Sequence, residues 1–268
     1  MKKIAILGCG WLGFPLAKKL IEKKFEIAGS TTTFEKIDVL KKAGVNPFLI
    51  SVSDNEIVGD IIGFLNNASI LIVDIPPKLR GLQSENFIKK IKIIVPFIEK
   101  SMIKNLIFIS STSVFADDNT TVNRFSTPNP DSESGRQLWE AEEILQKNPN
   151  FATTTIRFGG LVGPDRHPAK MLSGKSNIQN PDAPINLIHQ QDCISIIENI
   201  IQNAYWNQTV NAVAPFHPIR KNYYVKKAQE FGLAPPTFDH SKISVGKTIL
   251  SDKLIDDLQF EFQIVDSI

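Results

Sequence analysis

The stretch Lys2-Lys3-Ile4-Ala5-Ile6-Leu7-Gly8-Cys9-Gly10-Trp11-Leu12-Gly13 decides the fold. Residues 2–7 read as a short buried strand. Residues 14–24 read as a helix with Leu16, Ala17, Leu20 and Ile21 on one face. Between them stands G-x-G-x-x-G, the strand–turn–helix pattern that cradles a dinucleotide pyrophosphate. Gly8 serves the tight turn, Gly10 lets the backbone approach the phosphates, and Gly13 lets the helix lie close to the strand. The N–H groups at the helix start, around Trp11 and Leu12, then face the phosphates with the positive end of the helix dipole.

Working outward, apolar strands alternate with amphipathic helices through residues 1–160. Strands are expected at 25–29, 47–52, 69–74, 105–110 and 153–158. Helices are expected at 33–43, 55–65, 84–100 and 135–146. Fully apolar strands between amphipathic helices predict an α/β fold, a doubly wound parallel sheet covered on both faces. Ligands of such a sheet bind beyond the carboxyl ends of its strands. After Gly160 the pattern loosens into Pro- and Gly-rich loops. Helices at 192–204 and 222–231 and short strands at 209–212 and 242–249 remain. Residues 161–268 are therefore expected to form mostly a small C-terminal lobe, with segments returning to the sheet.

The end of the second strand bears on the cofactor. An NAD site of this design places Asp or Glu there, on the ribose 2′-hydroxyl. That end here reads Gly29-Ser30-Thr31-Thr32-Thr33, and no carboxylate follows until Glu35. Ser30, Thr31 and Thr32 with Lys36 suit a 2′-phosphate, which tilts the reading toward NADP and leaves NAD open. Ser30 and Thr31 could equally cap the next helix. Ile75 and Pro76 after strand 69–74, and Ser110 at the end of strand 105–110, complete the expected cofactor contacts.

Composition sets the outer limits. The chain has 268 residues, 42% hydrophobic and 22% charged, as in ordinary globular proteins. A net charge of +2 argues against a large nucleic-acid footprint. Cys9 and Cys193 are the two cysteines, and Cys9 lies inside the glycine turn, so a reduced, cytoplasmic protein is expected. No stretch is long and apolar enough to span a bilayer, and no residue spacing suggests a metal. The expected partner is a small-molecule substrate or effector, anionic in one reading, with neither nucleic acid nor membrane.

Four later segments carry a family resemblance. Ile109-Ser110-Ser111-Thr112-Ser113-Val114-Phe115 resembles the S-S-x-x-V-Y-G segment of extended short-chain dehydrogenases and NAD-dependent sugar epimerases. Arg157-Phe158-Gly159-Gly160-Leu161-Val162-Gly163-Pro164 is similar to their R-x-x-x-x-Y-G-P. Asn186-Leu187-Ile188-His189-Gln190-Gln191-Asp192 is similar to their I-H-V-x-D. Ser251-Asp252-Lys253-Leu254, with Leu258 and Phe260, resembles their C-terminal element. The order is kept along nearly the whole chain. The resemblance implies a dinucleotide-binding fold, a sugar-nucleotide or carbonyl substrate, and a monomer or a homodimer pairing helices 84–100 and 135–146.

Two departures mark an atypical branch. The family's glycine motif is G-x-x-G-x-x-G. Its Tyr-x-x-x-Lys dyad, in which lysine lowers the tyrosine pKa, falls on Ser134 and Leu138. A serine hydroxyl is a far poorer acid than a phenol with pKa of about 10, and leucine carries no charge. Tyr223-x-x-x-Lys227 repeats the spacing far downstream, where chance accounts for it. Two readings follow. One is an oxidoreductase or epimerase with a non-standard acid, its candidates being Ser111, Ser134, Arg136 and His167. The other is a sensor or regulator that holds NADP(H) without turnover.

Overall fold

The computed structural model describes residues 2–77 and 85–265. The first elements are β1 (Lys3–Leu7), α1 (Gly13–Glu22), β2 (Glu26–Thr31), α2 (Lys36–Lys42) and β3 (Asn46–Leu49). A small hairpin, β4 (Ser51–Val52) with β5 (Ile57–Val58), precedes α3 (Ile61–Leu65), β6 (Ala68–Val73) and α4 (Phe87–Glu99). Then come β7 (Asn105–Ser111), a single 3-10 turn (Thr112–Val114), β8 (Thr121–Val122), α5 (Glu133–Gln146), β9 (Ala152–Phe158) and β10 (Gly160–Val162). The chain continues through α6 (Pro168–Leu172), β11 (Leu187–His189), α7 (Gln190–Gln202) and β12 (Thr209–Ala212). It ends with α8 (Arg220–Glu230), β13 (Thr248–Ile249) and α9 (Asp252–Leu258).

Seven parallel strands form the central sheet in the order β12-β9-β7-β6-β1-β2-β3. The order reverses at β1, so the crevice opens beside the glycine turn. Strand alternation sends Leu106 and Phe108 to one face, with Phe64 of α3, Phe87 and Ile94 of α4 and Leu145 of α5. Ile107 and Ile156 point to the other face, with Leu16 of α1, Leu40 of α2 and Ile196 and Ile200 of α7. The sheet is therefore doubly wound, as the alternation predicts. A third cluster holds the remaining elements together, with Val162 of β10, Ala169 of α6, Leu187 of β11 and Tyr223 and Tyr224 of α8. Residues beyond 160 divide accordingly. α7 packs on the sheet, β12 is its edge strand and α9 packs beside β12, while β10, β11, α6 and α8 gather around the third cluster as the lobe. Among the described residues no helix is long and apolar enough to cross a membrane.

Several boundaries differ from the sequence expectations, for local reasons. The helix expected over 55–65 is only α3, because Gly59 has φ +112° and its Cα lies against the Leu49 carbonyl. Asp60 then caps α3, accepting from the Gly63 N–H at 2.8 Å. The helix expected over 33–43 begins at Lys36, because residues 33–36 form a turn closed by the Lys36 N–H to the Thr33 carbonyl. Neither Ser30 nor Thr31 caps α2, whose N-cap residue is Glu35. The strand expected over 242–249 is reduced to β13, which pairs with β8. Ser84, the expected start of α4, lies outside the described residues.

Candidate functional site

The cleft at the glycine turn is built from the carboxyl ends of the strands. Gly8 takes φ +109°, and a Cβ on it would lie 2.2 Å from the Asp74 carbonyl oxygen. Gly13 is equally constrained, since a Cβ there would lie 2.2 Å from the Gly8 carbonyl oxygen. Gly10 is different: nothing lies within 4 Å of its Cβ position, so the backbone there is open to a ligand. The Gly8 N–H donates to the Ser30 hydroxyl at 2.9 Å and the Cys9 N–H to the Ser30 carbonyl at 2.7 Å. These bonds fasten the turn to the end of β2.

A cleft of about 190 Å³ lies beside this turn. Gly8, Gly10, Ser30, Thr31, Thr32, Lys36, Ile75 and Pro76 line it, so one cleft gathers eight of the twelve residues expected at the cofactor. Ser51 and Val52 from the hairpin, Asp74 from the end of β6 and Lys90 from α4 line it too. Sequence reading missed these four, because each resembles an ordinary loop, strand-end or helix-face residue. The N-cap residue of α1, Leu12, makes no side-chain cap bond, and the helix's own first turn holds no acidic residue. The Phe14 N–H is bonded to the Gly10 carbonyl, Pro15 has no N–H and the Gly13 N–H faces Asp74. The groups that fit an anion such as a pyrophosphate are therefore the Trp11 and Leu12 N–H just before the helix, beside the open Gly10 backbone.

The other four expected cofactor residues lie elsewhere. Trp11 turns toward the lobe. Its indole N–H donates to Asp165 at 2.8 Å, and the Arg166 guanidinium stacks 5.1 Å from its ring centre. Gln190 of α7 donates to the Trp11 carbonyl at 2.6 Å. Leu12 and Gly13 are buried in the turn, so only their backbone faces are available. Ser110 is not among the residues that line this cleft. Its hydroxyl donates to Glu142 of α5 at 2.5 Å, on the side of the sheet where Phe108 also points.

Of the proposed acid–base residues, Ser111 and Ser134 lie on segments that meet. A Cβ on Gly135 would lie 2.0 Å from the Ser113 carbonyl oxygen, so the first turn of α5 sits on the Thr112–Val114 turn. Half-buried Ser134 precedes Gly135 in that first turn of α5, and Ser111 precedes the Thr112–Val114 turn, its Oγ accepting the Ser113 N–H at 3.2 Å. Leu138, one turn further along, is 4% exposed in the core. Arg136 points to the exposed face of α5, paired there with Glu133 and Glu140.

His167 stands apart from these residues. It lines a lobe pocket with Lys170, His189 and Phe231 that includes neither Ser111 nor Ser134. Its Nδ1 accepts the Ala169 N–H at 3.1 Å, which caps α6. Nε2 therefore carries the proton and donates to the Tyr223 hydroxyl at 2.9 Å. Burial, with Lys227 and Lys170 adding to it, lowers His167 to about 4, so the ring is neutral at pH 7. Burial also raises the Tyr223 phenol above its ordinary range, opposite to what a catalytic tyrosinate needs. Cys9 and Cys193 are free and buried. Burial, with the Asp74 charge beside it, pushes the Cys9 thiol up to about 12.

Sheet, turn and cleft together define the fold of short-chain dehydrogenase/reductase and NAD-dependent epimerase/dehydratase proteins. The chain belongs to the family of protein YeeZ of Escherichia coli (strain K12): the two are 34% identical over 270 residues, covering 99% of this chain and 97% of that one. Solved structures share the fold at low identity. A functionally unknown conserved protein from Silicibacter pomeroyi matches with TM-score 0.80 and 18% identity, over 99% of this chain and 95% of that one. A UDP-N-acetylglucosamine 4-epimerase from Bacillus cereus matches with TM-score 0.78 and 15% identity, with the same coverage. A short-chain dehydrogenase/reductase superfamily protein from Agrobacterium tumefaciens with bound NAD matches with TM-score 0.77 and 12% identity, over 98% and 93%. No family model matches the chain.

Proposed function

We propose that this chain binds NADP(H) in the cleft beside Gly8–Gly13, as an oxidoreductase or epimerase whose acid is not the family's tyrosine. The observation that carries the binding is the open backbone at Gly10, between two glycines that the fold itself requires. The Agrobacterium structure with bound NAD supports the dinucleotide class. Thr31, Thr32 and Lys36 support NADP, since they line the cleft where an NAD protein of this design holds a carboxylate. Ser111 and Ser134 are the hydroxyls left to contact a substrate at the α5 start.

A second reading rests on Leu138 and Arg136. The place of the family's lysine is filled by a core leucine, and the Arg136 guanidinium on the same helix is neutralised by two glutamates. Such a site suits a regulator that senses NADP(H) without turning it over.

Fluorescence titration of NADPH and NADH tests the shared part. NADPH is expected to bind more tightly, and Lys36→Ala to weaken NADPH by about tenfold while leaving NADH nearly unchanged, as for loss of one charge-assisted contact. Equal effects on both would refute the 2′-phosphate assignment. Turnover of any member of a carbonyl and sugar-nucleotide panel selects the enzyme, and binding without turnover selects the regulator.

A further inference from the structure

Asp74 places a carboxylate where a dinucleotide would bring its own negative charge. It follows β6 and lines the same cleft as Gly8, Gly10 and Lys36. Its backbone carbonyl packs against Gly8, and its Oδ2 lies 3.2 Å from the Cβ position of Gly13. The carboxylate is thus wedged against the first turn of α1, at the positive end of that helix.

Few groups face it. From the glycine turn comes the Cys9 thiol, and from α7 the Cys193 thiol, both buried and both held protonated in part by the Asp74 charge. The end of β2 offers hydroxyls only. From α2 comes Lys36, which is exposed, and from α4 comes Lys90, already paired with Glu85. Burial raises Asp74 to about 7, against the lowering effect of the Gly13 N–H.

We propose that the dinucleotide enters this cleft together with a proton taken up by Asp74, which makes Asp74 the residue that sets affinity for the anionic cofactor. The inference rests on the dinucleotide reading above. Two negative groups in one partly desolvated cleft disfavour each other's charge. Protonation removes the repulsion and turns the carboxyl into a donor toward a phosphate oxygen. Linkage fixes the sign. The bound form holds the proton more tightly than the free form, so affinity falls as pH rises above about 7, by up to tenfold per unit.

The test is calorimetric titration of NADPH into the wild type and Asp74→Asn, from about pH 6 to about pH 9, in buffers of different ionisation enthalpy. The wild type is expected to take up a proton on binding near pH 8 and to lose affinity with rising pH. Asp74→Asn is expected to take up none and to bind at high pH about as tightly as the wild type does at low pH. Buffer-independent heats in the wild type would overturn the proposal without any variant. So would an unchanged pH slope in Asp74→Asn. Weaker binding by Asp74→Asn at every pH would also overturn it, by making ionised Asp74 an acceptor for a cofactor hydroxyl. Absence of binding at every pH, in folded wild type, is a separate outcome: it removes the dinucleotide reading itself and the inference with it.

Discussion

Arg157 holds Glu142 with two nitrogens, Nε at 3.1 Å and Nη2 at 2.6 Å from the same carboxylate oxygen. Glu142 is 0% exposed and Arg157 8%. Ser110 donates to the other oxygen at 2.5 Å, and Phe115 lies 5.1 Å from the guanidinium. The pair therefore ties α5 to β9 and β7, joining two segments that carry the family resemblance. Removing one partner of a buried ion pair costs about 3–5 kcal/mol, because the other charge is left uncompensated. Glu142→Ala is expected to lose that much stability in urea unfolding. The double variant Glu142→Leu/Arg157→Met is expected to regain most of it. A double variant no better than the single one would mean that the charge pair is not the source of the loss.

The three motif glycines do different work, and alanine separates them. At Gly8 the backbone is in the left-handed region and the Asp74 carbonyl blocks a Cβ. At Gly10 there is open space. Gly8→Ala is expected to cost more than about 1 kcal/mol of stability and to lose dinucleotide binding with it. Gly10→Ala is expected to leave the unfolding midpoint within about 0.5 kcal/mol of wild type while weakening NADPH at least about tenfold, because the new methyl stands where the phosphates approach. Paired melting curves and titrations check both. Unimpaired NADPH binding by Gly10→Ala would remove the pyrophosphate from this turn.

Much of the fold is legible because its strands are continuous apolar runs and its helices are amphipathic. What escaped is set by contacts between distant segments. Gly59 breaks a pattern that periodicity reads as helix, because its Cα packs on the Leu49 carbonyl. The direction of Ser110 was present in the alternation of its own strand: Leu106 and Phe108 share its side, which α5 covers with Leu138 and Leu145. Asp74 reads as the last residue of the apolar strand 69–74, and Lys90 as one of several helix lysines. Only the reversal of strand order at β1 brings both to the cleft that Gly8 and Gly10 line.

His167 supplies a pH dependence of stability with a definite sign. Its folded value, about 4, lies below the ordinary 6.5 because the ring is partly buried near Lys227 and Lys170. The unfolded chain therefore binds more protons across that window. The contribution of the neutral ring is complete above about pH 6.5 and is lost as pH falls toward about 4. Asparagine at this position keeps the cap on the Ala169 N–H but carries no titrating ring and gives up the hydrogen bond to Tyr223. At about pH 8, His167→Asn is expected to be less stable than wild type by about 1 kcal/mol. That gap is expected to narrow steadily as pH is lowered through the window, because only the wild type is penalised by protonation. Other groups titrate alike in both proteins and cancel in the difference. Thermal melts of the two proteins at matched pH values measure it, and a gap that stays constant from about pH 8 to about pH 4 would show that the ring titrates as it does in the unfolded chain.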